Sequence, residues 1–219
     1  MRVPKVDHFS DGSDIVHVHY DKPILIPRLP VITNDKQRSK LVKTIETYIR
    51  TSMEYGDLIK YLRENIDMNC CEFFHNINGA KQKRLIEIHH APFDLYTITN
   101  IVMNKHETEY GFIDELMVAQ EVMKLHYTGL VGLIPLSVTA HELVHAGKLV
   151  VPLNCVYGRF VQFVKDYFEY IDPSYLAMLN ENIKLTKNLN REDMSILNVR
   201  YVYTEIDGFK LPEIIEELA

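Results

Sequence analysis

The stretch from Leu136 to Gly147 is best read from its histidines outward: His141 and His145 stand four residues apart in Leu136-Ser-Val-Thr-Ala-His-Glu-Leu-Val-His-Ala-Gly147. On a helix, residues i and i+4 share a face, so both imidazoles can reach one metal ion. Leu130 to Leu136 is a short apolar run bounded by turn formers, which predicts a strand leading into that helix. Pro135 lies before the pair and Gly147 just after it, so the helix is short. A strand feeding a short helix with a metal-spaced histidine pair leaves few architectures open.

A second pair sits upstream. Arg84-Leu-Ile-Glu-Ile-His-His-Ala-Pro92 reads as a strand from Leu85 to Ile88 with His89 and His90 at its end, and Pro92 stops it because proline cannot donate to a ladder. Between the two pairs, spacing predicts two helices, over 93–106 and 113–126, on either side of Tyr110-Gly111. Earlier in the chain, Thr33-Asn34-Asp35 marks a helix start. Leu41, Val42, Ile45, Tyr48 and Ile49 fall on one face, and Tyr55, Leu58, Ile59, Leu62 and Ile66 on one face of a second helix, giving an α-hairpin with Gly56 near its bend. Lys36, Arg38, Lys40, Lys43 and Arg50 fall on the exposed side, either as a solvated face or as a nucleic-acid contact.

The remaining segments are weaker. Residues 14–20 alternate like a strand with His17 and His19 on one face, and 24–32 read as an edge strand or arm broken by Pro27 and Pro30. Residues 69–80 mix turn formers with aromatics, and Asn76-Ile-Asn-Gly79 ends them as a loop or hairpin turn. After Gly147, 149–152 are extended, Phe160 to Ile171 form an amphipathic helix closing at Asp172-Pro173, and 174–189 form another. Residues 195–206 have strand propensity.

Composition narrows the class. Of 219 residues, 47% are hydrophobic and 25% charged, an ordinary globular balance. A net charge of −6 argues against a general nucleic-acid coat protein, but a nuclease needs only a local basic patch. Three cysteines, two of them adjacent (Cys70, Cys71 and Cys155), make a poor disulfide framework, and no CxxC pair supports a zinc knuckle. The first residues lack the apolar run of a secretion signal, and no stretch is long and apolar enough to span a membrane. The expected location is therefore the cytoplasm, that of the host if the chain is phage-encoded.

Ile86-Glu-Ile-His-His-Ala-Pro92, followed by Leu133-Ile-Pro-Leu-Ser-Val-Thr-Ala-His-Glu-Leu-Val-His145, resembles the HNH or His-Me finger nucleases, whose core is a ββα-metal finger. Colicin-type members carry the same double histidine at the end of the first strand and HxxxH on the helix. The layout, helical segment included, is also similar to bacteriophage proteins. The resemblance implies an α+β fold: a ββα-metal finger with a helical insertion in its hairpin, embedded among further helices and a few strands. It implies an N-terminal strand arm and α-hairpin (1–68), a finger core (69–150) with its insert at 93–129, and a C-terminal helical region with an extended tail (151–219).

The implied activity is metal-dependent endonuclease cleavage of phosphodiesters, in DNA more than RNA. His90 would be the general base, and His89, His141 and His145 would hold one divalent ion, Mg²⁺, Mn²⁺ or Zn²⁺. Lys81, Lys83, Arg84, Lys148 and Arg159 would form the phosphate-binding rim. Where that family has an asparagine nine residues before the first helix ligand, this chain has Gly132. Asn100 and Asn104 are candidate substitutes.

The string His141-Glu-Leu-Val-His145 also fits the HExxH pattern of zinc proteases, with Glu142 as base. Against it, no motif supplies a third ligand, the helix is short, and His89-His90 is left unexplained. Thr139-x-x-Glu142 also has capping-box spacing, which gives the glutamate a plain structural use. The remaining alternative is a catalytically inactive structural protein on the same scaffold.

Overall fold

The longest local signals in the sequence become helices with identifiable caps. In the computed structural model, which describes residue 32 and residues 34–74, 77–79 and 86–186, helix α1 runs Asp35–Arg50 and α2 runs Met53–Glu64. The Asn34 side chain accepts from Gln37 N at 3.0 Å and the Ser52 hydroxyl accepts from Tyr55 N at 3.1 Å, each satisfying an orphan first-turn donor. The α-hairpin is as expected, except that its bend is at Thr51-Ser52 and Gly56 lies inside α2.

Strand β1 is Ile86–His90, and α3 (Leu95–Tyr110) and α4 (Glu115–Tyr127) follow it. Asp94 and Asp114 cap these helices. Gly111 ends α3 at φ 74°, a left-handed conformation that glycine adopts without Cβ strain. Strand β2 is Leu133–Ser137, and it runs straight into α5, Val138–His145. A 3₁₀ turn at Leu153–Cys155, helix α6 (Phe160–Asp166), a second 3₁₀ turn at Phe168–Tyr170 and helix α7 (Pro173–Thr186) complete the described chain. The helix expected across Phe160 to Ile171 is thus broken after Asp166.

The fold is α+β: helices around a two-stranded antiparallel sheet, with His89 opposite Ile134 and His90 opposite Leu133. Leu133 exchanges both backbone hydrogen bonds with Tyr157 at 2.8 Å, so its N–H and C=O point away from β1. Pro135, two residues on, points the same way, and its carbonyl accepts from Glu72 N at 2.9 Å. The missing N–H of Pro135 is therefore on the side that β1 does not use, which is why a proline fits inside this strand.

A two-stranded sheet has too little apolar face to hold itself together. Here helices cover it. α5 packs on both strands, and α1 packs across α3 and α4. Buried side chains from α1 through α7, among them Ile45, Ile101, Met123, Ile134, Leu136, Phe163 and Leu179, form one apolar cluster. Polar ties fix the helices around it. Arg38 donates from Nε to Asn100 Oδ1 at 3.1 Å, and also bonds Asn104 and Glu107. Glu121 of α4 binds Lys105 Nζ and His106 Nε2, each at 2.7 Å, and Tyr167 OH at 2.5 Å. Burial opposes the Glu121 charge, but these partners hold its pKa down to about 2.

Several expectations lie outside the described residues: the strand over 14–20 with His17 and His19, the arm over 24–32 apart from Ile32, the residues Lys81, Lys83 and Arg84, and the tail strand over 195–206.

Gly132 has a packing role. A Cβ built there would lie 1.9 Å from the Ala91 carbonyl oxygen and 2.7 Å from Val156 Cγ1. The backbones approach because Ala91 N donates to Gly132 O at 3.0 Å, closing the open end of the β1–β2 pair. Gly132→Ala is expected to destabilise the protein by more than about 2 kcal/mol, since the clash is with backbone. Gly56→Ala, inside a helix with nothing within 4 Å, should be neutral or stabilising by up to about 1 kcal/mol. Urea midpoints of the two variants measure this, and equal midpoints would refute the packing account.

Candidate metal centre

The period of two along a strand decides which histidines meet. Glu87 and His89 point to one face of β1, and Ile86, Ile88 and His90 to the other. Helix α5 lies over the first face. Its i, i+4 spacing brings His141 and His145 together with Nε2 atoms 3.1 Å apart. The His89 ring lies 5.0 Å from that of His141 and 5.1 Å from that of His145, centroid to centroid. One ring nitrogen from each of the three lies within 4.8 Å of the others.

The donors fit a divalent ion. Two nitrogens each about 2.0–2.1 Å from a tetrahedral ion stand roughly 3.3 Å apart, close to the Nε2 separation found here. His141 Nδ1 lies 2.5 Å from Glu87 Oε2. A carboxylate accepts, so Nδ1 carries the proton and the Nε2 lone pair is turned towards His145. This carboxylate–imidazole pairing is the usual way a ligating histidine is oriented. Glu87 is absent from the sequence-based expectations. Its position two residues before His89, hence on the same strand face, is the signal that could have identified it.

Electrostatics keeps the cluster receptive. Burial lowers the His89 pKa to about 4, with smaller contributions from His141 and His145. Burial also lowers that of His141, against the opposing pull of Glu87. His89 is therefore neutral at pH 7, as a ligand must be. His89 is buried, His141 half-buried and His145 exposed, so the cluster is backed by protein and open towards solvent. Three ligands with an open side is the layout of sites that act on a bound molecule, rather than the closed four-ligand layout of structural zinc.

His90 is elsewhere. The expectation that it stands beside the three ligands as a base is not met, because adjacent strand residues point to opposite faces. It is 4% exposed, and its Nε2 lies 2.9 Å from Nε2 of His126 on α4. His126 Nδ1 donates to the Val122 carbonyl at 2.7 Å, which leaves its Nε2 as the acceptor of the His90 Nε2 proton. Tyr55 adds an edge-on ring contact to His126, with centroids 5.8 Å apart. This is a packed polar pair in the core, on the side of β1 away from the cluster. His126 carried no sequence signal, since only the tertiary fold brings it to His90.

The other expected residues divide similarly. Lys148 is exposed just beyond α5. Arg159 is exposed, but its guanidinium bonds the Thr128 carbonyl at 2.8 Å and so anchors the end of α4. Asn100 and Asn104 are engaged by Arg38, and Asn104 also donates to Tyr170 O at 2.8 Å, so neither replaces a family asparagine at the cluster. The capping-box reading of Thr139 and Glu142 also fails. The N-cap is Ser137, which accepts from Ala140 N, and Glu142 is an exposed carboxylate within the helix, next to His141.

Comparison with known proteins places the chain in a family. The profile of the bacteriophage G278-like virion proteins matches residues 5–207. The chain belongs to that family. No HNH nuclease family matches it. No curated protein and no solved structure matches it. Among the described residues no helix is long and apolar enough to cross a membrane. The phage character of the chain, an expectation from its sequence, is thereby established.

The buried His90–His126 pair gives a pH dependence. Burial lowers the His126 pKa to about 4 and that of His90 well below its usual value. Groups lowered on folding are protonated first in the unfolded chain. Their contribution to stability is complete above about pH 6.5 and is lost as pH falls towards 4. The urea midpoint measured in EDTA should drop between pH 6.5 and 5, above the carboxylate range. Replacing both rings (His90→Leu with His126→Leu) should reduce that slope, leaving the part contributed by His89 and His141. An unchanged slope would mean that the pair is not buried as neutral rings.

Proposed function

We propose that this virion protein is a metal-dependent phosphodiesterase acting on DNA, with one divalent ion held by His89, His141 and His145. The observation that carries the reading is the convergence of these three imidazoles, from one strand and a short helix, on a single solvent-open point. The order strand, antiparallel strand, helix is that of a ββα-metal finger, with α3 and α4 inserted between the strands. Three imidazole donors suit Zn²⁺ or another late transition ion better than Mg²⁺, which prefers oxygen. The bound ion would supply Lewis-acid chemistry, polarising the scissile phosphate and lowering the pKa of a nearby water.

The chain's own groups have distinct tasks. His89, neutral because it is buried, and His145 donate lone pairs. His141 does so with its ring fixed by Glu87. Glu142, exposed on α5 beside His141, is the carboxylate available to take a proton in place of His90. Membership of a virion protein family supports an enzyme that meets DNA in the phage particle or during its delivery, rather than one free in the host cytoplasm.

The protease reading gains one observation: His89 supplies the third nitrogen that its motif lacked. It still depends on the same ligands and on Glu142, so substrate separates the two. The protein loaded with Zn²⁺ or Mn²⁺ should nick supercoiled plasmid, and should lose nicking in the His141→Ala/His145→Ala double variant. His90→Gln, if folded, should keep it. Absence of nicking with any divalent ion, or nicking that survives the double variant, would refute the phosphodiesterase; casein cleavage lost in Glu142→Gln would establish the protease. Separately, Glu87→Gln should weaken Zn²⁺ binding about 10–100-fold in calorimetry, as loss of an orienting carboxylate does. Unchanged affinity would remove Glu87 from the site.

A further inference from the structure

Helix α1 carries a second feature that neither packing nor the metal centre uses. Its buried face is Leu41, Val42, Ile45 and Ile49. On the opposite face Lys36, Lys40, Lys43, Thr47 and Arg50 recur at alternating steps of four and three, forming one stripe about 21 Å long. All are exposed. Lys36, Lys40, Lys43 and Thr47 line a single shallow groove. Among the described residues none of the three lysines has a carboxylate within 4.0 Å; Glu46 feels the charge of Lys43 and contacts Arg50 at 3.9 Å.

This placement runs against local preference. Cations are disfavoured in the first half of a helix, where the dipole is positive, and like charges at i, i+4 repel. The whole chain carries a net charge of −6, so a concentrated positive stripe is not a by-product of composition. The C-terminal end of the stripe leads to the histidines. Five residues beyond Arg50, Tyr55 contacts His126, on the inner side of the strand whose outer side carries His89. The Arg50 charge also acts on His89 and His141, adding to the larger effect of burial.

We infer that this face of α1 is the track for the phosphate backbone of a DNA strand, with Lys36, Lys40 and Lys43 holding successive phosphates and Arg50 the phosphate nearest the metal centre. The inference deepens the phosphodiesterase reading and takes from it the direction of the track, but binding along the stripe does not require catalysis. Cationic side chains repeated at each helical turn suit a repeating anion, and they fix its position without reading its sequence.

The test is binding of a fluorescein-labelled DNA duplex by anisotropy, in EDTA so that no ion and no cleavage intervene. The unaltered protein should bind with affinity that falls steeply as salt rises. Lys36→Glu/Lys40→Glu/Lys43→Glu should lower affinity at least tenfold and reduce the log–log salt slope by about 2–3, roughly 0.9 for each phosphate that is no longer neutralised. Lys60→Glu/Lys124→Glu/Lys184→Glu, the same charge change on other helices, should lower it far less. No salt-dependent binding by the unaltered protein, or equal losses in the two triple variants, would overturn the track. Binding that follows this pattern in a protein that nicks no plasmid would uphold the track and refute the phosphodiesterase.

Discussion

Everything near the histidine cluster depends on the pairing of two short strands that are far apart in the chain. The register His89 opposite Ile134 is closed at one end by the hydrogen bond from Ala91 N to Gly132 O. At the other end β2 runs into α5 without a loop. A slip of one residue would turn His89 into the core and His90 out to α5. The register is held against such a slip by what each face meets. One side needs Glu87 and His89 towards His141 and His145; the other needs His90 at His126. Gly132 belongs to this constraint, because only a residue without a Cβ lets the two backbones meet there.

The helices between the strands do more than lengthen a loop. Closing a long connection costs only slowly increasing entropy, but a two-stranded ladder gains too little to offset even that cost. α3 and α4 offset it by joining the main apolar cluster with α1, and by supplying His126 to the inner face of β1. The tie from Arg38 to Asn100, Asn104 and Glu107 joins α1 to the insert, and the Glu121 network joins the insert to Lys105, His106 and Tyr167. The small sheet is thus positioned by helices that contribute no ligand.

What could be read from sequence was what short-range periodicity encodes. The i, i+4 pair His141/His145, the N-cap at Asn34, the stop at Gly111 and the two helices of the insert each declare themselves within a few residues. The strand with His89 and His90 at its end was also legible. The division of labour between His89 and His90 was half-legible: strand alternation demanded opposite faces, while the family resemblance pulled both to one site. The partners His126 for His90 and Arg38 for Asn104 depend on segments brought together only by the fold. Thr139 looked like a cap by spacing, but the helix starts earlier because Ser137, at the strand end, already holds the extended conformation an N-cap requires.

Burial of His89 has two opposed effects, and their balance says what kind of site this is. Desolvation lowers its pKa to about 4, which removes protons as competitors for the ring nitrogen at neutral pH. The same desolvation penalises an imidazole that is left without a partner for its lone pair. A core histidine escapes this by finding a fixed acceptor or donor, as His90 and His126 do with each other and with Val122 O. His89 instead faces two further histidines, one half-buried and one exposed, and one of these is oriented by a carboxylate. A proton taken up by His89 charges a ring that burial, and then His141 and His145, disfavour as a cation. A divalent cation satisfies all three at once, and the exposed side at His145 leaves room beside it for a ligand from solution. On that balance the cluster has the donors and the open side that the proposed ion binding needs, unlike the closed pairing of His90 with His126 in the core.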